Sequence, residues 1–278
     1  SPKLYPSQRS SASSGWSWRQ PLARLRTELV GQLRSCKHAV LARHFRSLHA
    51  ERRFDLYHEP NYIPLKIDCP TVATVHDLSA LLHPEWHPAD RVEHFARHFP
   101  KALTRCVHFL TDSEFSRQEM IRELGIAPER VTRVAMGVRP RLKPTTSEAL
   151  TKTQRALNLP PRYLLHLGTI EPRKNVLFLL RAYCSLPAPL RERWPLLLAG
   201  GWGWNSGPVA DFWQSEARHK GVLHLGYVPD RHLAAIYQGA RALVCPTHYE
   251  GFGLPPLEMM ACGGAVLAST AGAIRETV

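Results

Sequence analysis

Two kinds of hydrophobic pattern alternate along the chain from about residue 71 onward. Short β-branched or apolar runs mark buried strands, and stretches with apolar residues every three or four positions mark helices. Thr71-Val72-Ala73-Thr74-Val75 predicts a strand, and Val92, Phe95, Phe99 and Leu103 predict a helix over 89–105. Cys106 to Leu110 predicts the next strand. Ser113 and Ser116 are candidate N-caps for a helix that stops near Gly125, and Val131 to Ala135 predicts a further strand. The stretch 139–161, rich in Pro, Thr and basic residues, predicts a linker. The alternation then resumes with a strand at Tyr163 to Leu167 and a helix from Asn175 to Cys184. Further strands are predicted near 196–199, 222–225, 242–246 and 265–269, with helices near 208–219, 230–239 and 254–262.

Strand–helix alternation at these lengths implies parallel sheets covered by helices on both faces. Two such runs predict an α/β chain of two Rossmann-like domains, at 1–145 and 162–278, joined by a linker at 146–161. Ligands of such sheets bind beyond the carboxyl ends of the strands, so the cleft between the domains is the expected site.

Composition narrows the class. With 278 residues, 44% of them hydrophobic, the chain is too apolar for a disordered protein. Runs such as Val176 to Leu180 fall far short of the roughly 18 residues that cross a bilayer. The N-terminus is polar and Ser/Arg-rich, with no apolar core of a cleavable signal. Six scattered cysteines, with no C-x-x-C, read as reduced structural thiols of a cytosolic protein, and Cys106 and Cys245 are expected in buried strands. The histidines show no metal-ligand spacing, so no metal is expected. The net charge of +13 is uneven: residues 1–53 hold 11 Lys and Arg against two acids. Residues 1–20 read as a flexible entry and 21–50 as a helix. With no nucleic-acid motif beside it, this basic segment is read as a peripheral contact for an anionic membrane rather than for nucleic acid, solvated surface being the plain alternative.

Three segments at strand ends carry the chemistry. Glu250-Gly251-Phe252-Gly253-Leu254-Pro255-Pro256-Leu257-Glu258 follows a strand and opens a helix, so free amides face a ligand and both glutamates can face one cleft. Gly168-Thr169-Ile170-Glu171-Pro172-Arg173-Lys174-Asn175 places two cations beside a helix start, a pocket for a diphosphate. His76-Asp77-Leu78 ends the strand at 71–75 and could supply a base or a hydroxyl binder. Each alone has an ordinary structural reading: a Gly-Pro loop, a solvated Arg-Lys pair, a lone polar pair.

Together they resemble retaining glycosyltransferases of family four, bacterial mannosyl- and rhamnosyltransferases in particular. The match lies in E-x7-E with its G-F-G-L-P insert, G-x4-R-K-N upstream, T-V-H-D-L, Thr111 to Ser116, and Gly226-Tyr227-Val228-Pro229-Asp230. The resemblance spans about 55–278 and implies the GT-B fold, two Rossmann-like domains facing a cleft. It implies a nucleotide-sugar donor, GDP-mannose-like by preference, and a glycan or lipid-linked acceptor, with no cofactor and no metal. Arg173 and Lys174 would hold the diphosphate. Glu250 and the backbone of Gly251, Phe252, Gly253 and Leu254 would contact the transferred sugar, and Glu258 the ribose. Tyr227, Val228 and Pro229 would meet the base, with Gly168 at the donor site. His76 would touch the donor sugar from the opposite domain, and Asp77 would lie near the acceptor. Family members open with a strand and a Gly-rich loop that are not seen before residue 54, and they continue past Val278, so the chain reads as truncated at both ends. A non-catalytic sugar-nucleotide- or polysaccharide-binding subunit with a degenerate site remains the alternative from another class.

Overall fold

The computed structural model describes residues 39–278. The flexible entry and most of the basic segment expected at 1–53 lie outside them, as does Cys36. The described part of the first helix, α1, covers 39–52, then come β1 (Tyr57–Glu59), β2 (Thr71–Thr74), α2 (Ser79–Leu82), α3 (Ala89–Arg105), β3 (His108–Thr111), α4 (Glu114–Leu124) and β4 (Val131–Arg133). These four strands form one parallel sheet in the order β1-β2-β3-β4. Its core packs Val75, Phe95, Phe99, Phe109 and Met120 between sheet and helices. The helix period of α3 turns Phe95, Phe99 and Ala102 inward. Ser113 caps α4 as its spacing foretells, its hydroxyl accepting from the Ser116 N–H at 3.1 Å, and left-handed Gly125 ends the helix.

The second half runs α5 (Ser147–Ala156), β5 (Tyr163–Leu167), α6 (Val176–Cys184), α7 (Ala188–Arg193), β6 (Leu196–Ala199), α8 (Gly207–Ser215), β7 (Val222–Gly226), α9 (Asp230–Gly239), β8 (Ala240–Cys245), α10 (Leu254–Ala261), β9 (Val266–Ala268) and α11 (Ile274–Thr277). Its parallel sheet has the order β7-β6-β5-β8-β9. Counted from β5 this is 3-2-1-4-5, the doubly wound order, which reverses direction between β5 and β8. Strand β6 is buried along its whole length, and Leu165, Leu197 and Leu243 pack on one face against Tyr163, Ile236 and Tyr237. Leu196, Leu198 and Leu180 fill the other face. Burial on both faces explains the continuous apolar runs.

Three expectations are corrected. The strand expected from Cys106 begins at His108, because the Cys106 N–H still closes the last turn of α3 on Ala102; Cys106 is buried but is not a strand residue. The stretch 146–161 is not a bare linker but holds α5, capped by Thr146 and packed on α9. The helix expected from Asn175 starts one residue later, since Asn175 sits in the left-handed region after a 3-10 turn at Pro172–Lys174. The sequence also left β1, α2, α7 and α11 unmarked; each is only three to six residues long, too short for a period to show.

His166, in the middle of β5, is fully enclosed. Its Nδ1 bonds the Val244 carbonyl at 3.0 Å, while Nε2 has no partner. Burial pushes its pKa down to about 4, against about 6.5 for a free imidazole. The folded state therefore holds His166 neutral. Its contribution is intact above pH 6.5 and is lost as pH falls toward 4, because the unfolded chain takes up the proton first. At pH 5 the loss is about 2 kcal/mol. Thermal melts at pH 7.5 and 5 should show a larger drop for the wild type than for His166→Asn, which keeps a donor for Val244.

Candidate donor site at the switch point of the second sheet

The reversal between β5 and β8 opens a crevice at the carboxyl ends of these strands, and the two motif-bearing loops leave from there. The loop after β5 carries Gly168 to Lys174, and the loop after β8 carries Pro246 to Gly253. The loops are stitched together: the His248 N–H donates to the Arg173 carbonyl at 2.9 Å, and Asn175 Nδ2 donates to the Pro246 carbonyl at 3.1 Å. Glu250 is fixed at its own backbone, where its carbonyl accepts from the Ala273 N–H at 3.0 Å.

Arg173, Lys174 and Glu250 meet here. Lys174 Nζ lies 2.5 Å from Glu250 Oε1, and Arg173 Nη1 lies 3.3 Å from Oε2. Arg173 also pairs with Glu171 at 2.9 Å and, across the cleft, with Asp77 at 3.7 Å. Burial alone would lower the guanidinium's pKa, but the carboxylates of Glu250, Glu171 and Asp77 reverse the shift and hold it above its usual value. The sequence implies a positive pocket. The fold instead surrounds two cations with three carboxylates, because Glu171 precedes them in the same loop and Asp77 arrives from the other half.

Glu258, in the second turn of α10, lies apart from this cluster in its bonding. Arg139 Nη2 donates to Oε1 at 2.9 Å and the Tyr237 hydroxyl to Oε2 at 2.7 Å. Arg139 Nη1 reaches on to Asp230 at 2.9 Å, and Arg141 pairs with the same carboxylate. Asp230 opens α9 directly after Tyr227, Val228 and Pro229, so this second network adjoins the loop proposed from sequence for the base. In that loop Tyr227 is 79% exposed and Val228 is buried. The Arg139 and Tyr237 contacts had no sequence signal: one lay in the supposed linker and the other reads as an ordinary helix residue.

His76 and Asp77 follow β2 in the first half. His76 Nδ1 bonds Asp112 Oδ2 at 2.7 Å and Nε2 bonds the Pro60 carbonyl at 3.0 Å. Both partners are acceptors, so only the imidazolium satisfies both. The hydrogen bond to Asp112 accordingly raises the His76 pKa despite partial burial. Asp77 Oδ1 accepts from the Ser79 hydroxyl at 2.7 Å, which in turn lies 3.0 Å from His87 Nε2.

The two halves touch through the Glu250–Gly253 loop. A Cβ on Gly251 would stand 2.4 Å from the His76 carbonyl oxygen and 2.8 Å from Asp77 Cβ, so only glycine permits this approach. The Ser113 hydroxyl donates to the Gly251 carbonyl at 2.6 Å. Gly253 takes the left-handed conformation as N-cap of α10, with φ of 96°. Elsewhere along the seam, Glu276 of α11 accepts from the Glu114 and Phe115 amides at 2.8 and 2.6 Å, closing the first turn of α4. Trp204 Nε1 donates to the Trp86 carbonyl at 2.7 Å. Between the halves lies a cavity of about 730 Å³, lined in part by Tyr62, Asp77, His87, Glu171, Arg173 and Trp204; Lys174, Glu250 and Glu258 are not in its wall. Among the described residues no three His, Cys, Asp or Glu side chains group as a metal site would require, and no helix is long and apolar enough to cross a membrane.

Comparison with known proteins follows this division. Residues 14–142 match the family model "Glycosyltransferase Family 4" and residues 148–278 match "Glycosyl transferases group 1". Over 225 residues, 80% of the chain, it is 38% identical to O-antigen chain mannosyltransferase B of Escherichia coli, of whose length the match covers 59%. It is 31% identical over 217 residues to the serotype-specific mannosyltransferase WbdA of Escherichia coli, where the match covers 75% of this chain and 26% of WbdA. The chain thus spans less than two thirds of these relatives. Among solved structures, Anabaena HepE in complex with UDP and glucose superposes with a TM-score of 0.68 over 87% of this chain and 64% of HepE, at 18% identity. WaaG, a glycosyltransferase involved in lipopolysaccharide biosynthesis, gives 0.66 over 84% of this chain and 64% of WaaG, at 19% identity. Each half thus matches a glycosyltransferase family model, and the chain has the GT-B fold, with mannosyltransferases among the proteins it is similar to in sequence.

Proposed function

We propose that this chain transfers a hexose, mannose by preference, from a GDP-linked donor to a glycan or lipid-linked acceptor, with retention at the anomeric carbon. The observation that carries the reading is the meeting of Arg173 and Lys174 with Glu250 at the switch point, 3.7 Å from Asp77 of the opposite half. In the reading, 1–145 forms the acceptor-side domain and 162–278 the donor-side domain, and reaction takes place in the cleft between them. The mannosyltransferase relatives favour the choice of sugar.

The proposed chemistry begins with an exchange of partners. A diphosphate entering beside Arg173 and Lys174 takes the place of the Glu250 carboxylate on the lysine, and Glu250 turns to the hydroxyls of the sugar. Glu258 takes the ribose hydroxyls, and Tyr227 to Pro229 the base. His76 touches the sugar from the other side. The bond between the anomeric carbon and the phosphate oxygen then breaks, leaving positive charge on the sugar ring and negative charge on the diphosphate. The two cations take up that negative charge, the work that a metal ion does in other transferases. The acceptor hydroxyl attacks from the face the phosphate leaves, and its proton passes to the departing phosphate oxygen. A carboxylate nucleophile like that of retaining glycosidases is not required. The protein works in the cytoplasm, and residues 1–53 rest on an anionic membrane surface.

Arg173→Ala and Lys174→Ala should each lower the transfer rate roughly 10²- to 10³-fold, the usual cost of losing one donor to a developing anion. Steady-state transfer assays check this, and a variant with wild-type turnover removes the diphosphate role. A thermal-shift screen with GDP-, UDP-, dTDP- and ADP-sugars should raise the melting temperature with the GDP series alone. Stabilisation by another series replaces the donor, and silence from all of them favours a non-catalytic subunit.

A further inference from the structure

Tyr249, immediately before Glu250, belongs to the second half but its side chain is held by the first. Only 3% of it is exposed, and its hydroxyl donates to the Glu119 carboxylate of α4 and accepts from the Leu78 N–H at 3.3 Å. Its ring meets Phe115 edge-on, with centroids 5.4 Å apart, and His83 at 5.7 Å. These four partners come from α2 and α4 or border them, so the ring is a plug in the first half. On its other side the backbone is tied to the site: the Tyr249 carbonyl lies 3.5 Å from Arg173 Nη1. Glu119 has no other task in view. It is 5% exposed, on the inner face of α4, and burial raises its pKa. Keeping a carboxyl in such a place is costly unless it is bonded, and Tyr249 supplies the bond.

We propose that Tyr249 and Glu119 form a cross-domain positioning pair that sets where the Glu250–Gly253 loop stands relative to Asp77. The inference rests on the transferase reading above and goes beyond the residues that would touch the donor. Tyr249 does not meet the reacting atoms. It acts through its neighbours: Leu78 follows Asp77 in one half, and Glu250 follows Tyr249 in the other, so one hydroxyl joins the two loops that face each other across the cleft. Arg173 and Lys174 keep their carboxylate partners Glu171 and Glu250 when this hydroxyl is lost, so donor affinity should survive its loss while the alignment of sugar and acceptor does not.

The test uses Tyr249→Phe and Glu119→Ala, singly and combined, in the whole protein. With a donor sugar and acceptor, kcat should fall about 10- to 100-fold in each single variant, as expected when a buried hydrogen bond to a charged group is broken. The donor KM should stay within about threefold. The double variant should be no worse than the poorer single one, because the two side chains act as one unit. Glu119→Gln, which keeps an acceptor oxygen, should recover most of the rate. Hydrogen exchange gives a readout that needs no turnover: the Leu78 amide should exchange faster in Glu119→Ala, although its own partner, the Tyr249 hydroxyl, is still present. Additive rate losses, unchanged kcat in Tyr249→Phe, or unchanged Leu78 exchange in Glu119→Ala overturns the proposal. If the wild type transfers no sugar, the transferase reading fails, while the exchange measurement still decides the pairing.

Discussion

The site depends on one ionic cluster, the pairing of Lys174 and Arg173 with Glu250 at the point where the strand order of the second sheet reverses. A buried lysine or arginine with no partner is strongly disfavoured, and a buried glutamate equally so. The doubly wound strand order resolves this by bringing two distant loops, 168–175 and 246–253, to adjacent strand ends. The first supplies both cations with one acid, Glu171, and the second adds the carboxylate that Lys174 pairs with. Strand pairing between β5 and β8 is therefore what brings Glu250 to the two cations, and the local loop sequences alone would not secure it.

The same cluster shapes the proposed chemistry. Three carboxylates around two cations make a poor sink for a free anion, so a diphosphate must displace a carboxylate to bind. Such an exchange favours a ligand that offers something to the displaced group. A bare anion leaves Glu250 buried without a partner, whereas a nucleotide sugar brings hydroxyls for it to accept from. On the proposed reading, the acid that balances the site in the absence of donor also selects for a donor that carries a sugar.

Much of this was legible in the sequence, and the boundary of legibility has a physical cause. Strands β2, β5 and β6 and helices α3 and α9 announced themselves because each buries a face or a whole span, and burial imposes a period. Gly251, Gly253, Arg173, Lys174 and Glu250 stood out because loops at strand ends need special residues in a fixed local order. What stayed hidden depends on distant parts of the chain. Asp112 is an acid in a loop until the fold places it 2.7 Å from His76. Arg139 reads as linker until it meets Glu258, and helix α5 lies in a Thr- and Lys-rich stretch whose inward face is narrow. The charge balance around Arg173 is hidden only in part: Glu171 and Glu250 stand in the two motifs, and Asp77 alone arrives from the other half of the chain.

One short loop of the seam is held from both halves. Gly251 rests against the His76–Asp77 backbone, and the Ser113 hydroxyl holds the Gly251 carbonyl. Tyr249, two residues earlier, reaches into the first half on the side of α4. A segment clasped at both ends by one domain, while its middle residue Glu250 is paired within the other, cannot shift without disturbing both. Domain contact and site geometry are thereby coupled through backbone that is only three residues long. Large separate interfaces could hold the halves together equally well, but they would leave the Glu250 carboxylate free to drift relative to Asp77. The short clasped loop removes that freedom, which is why glycine is required at 251 and why a side chain as large as tyrosine is suited to 249.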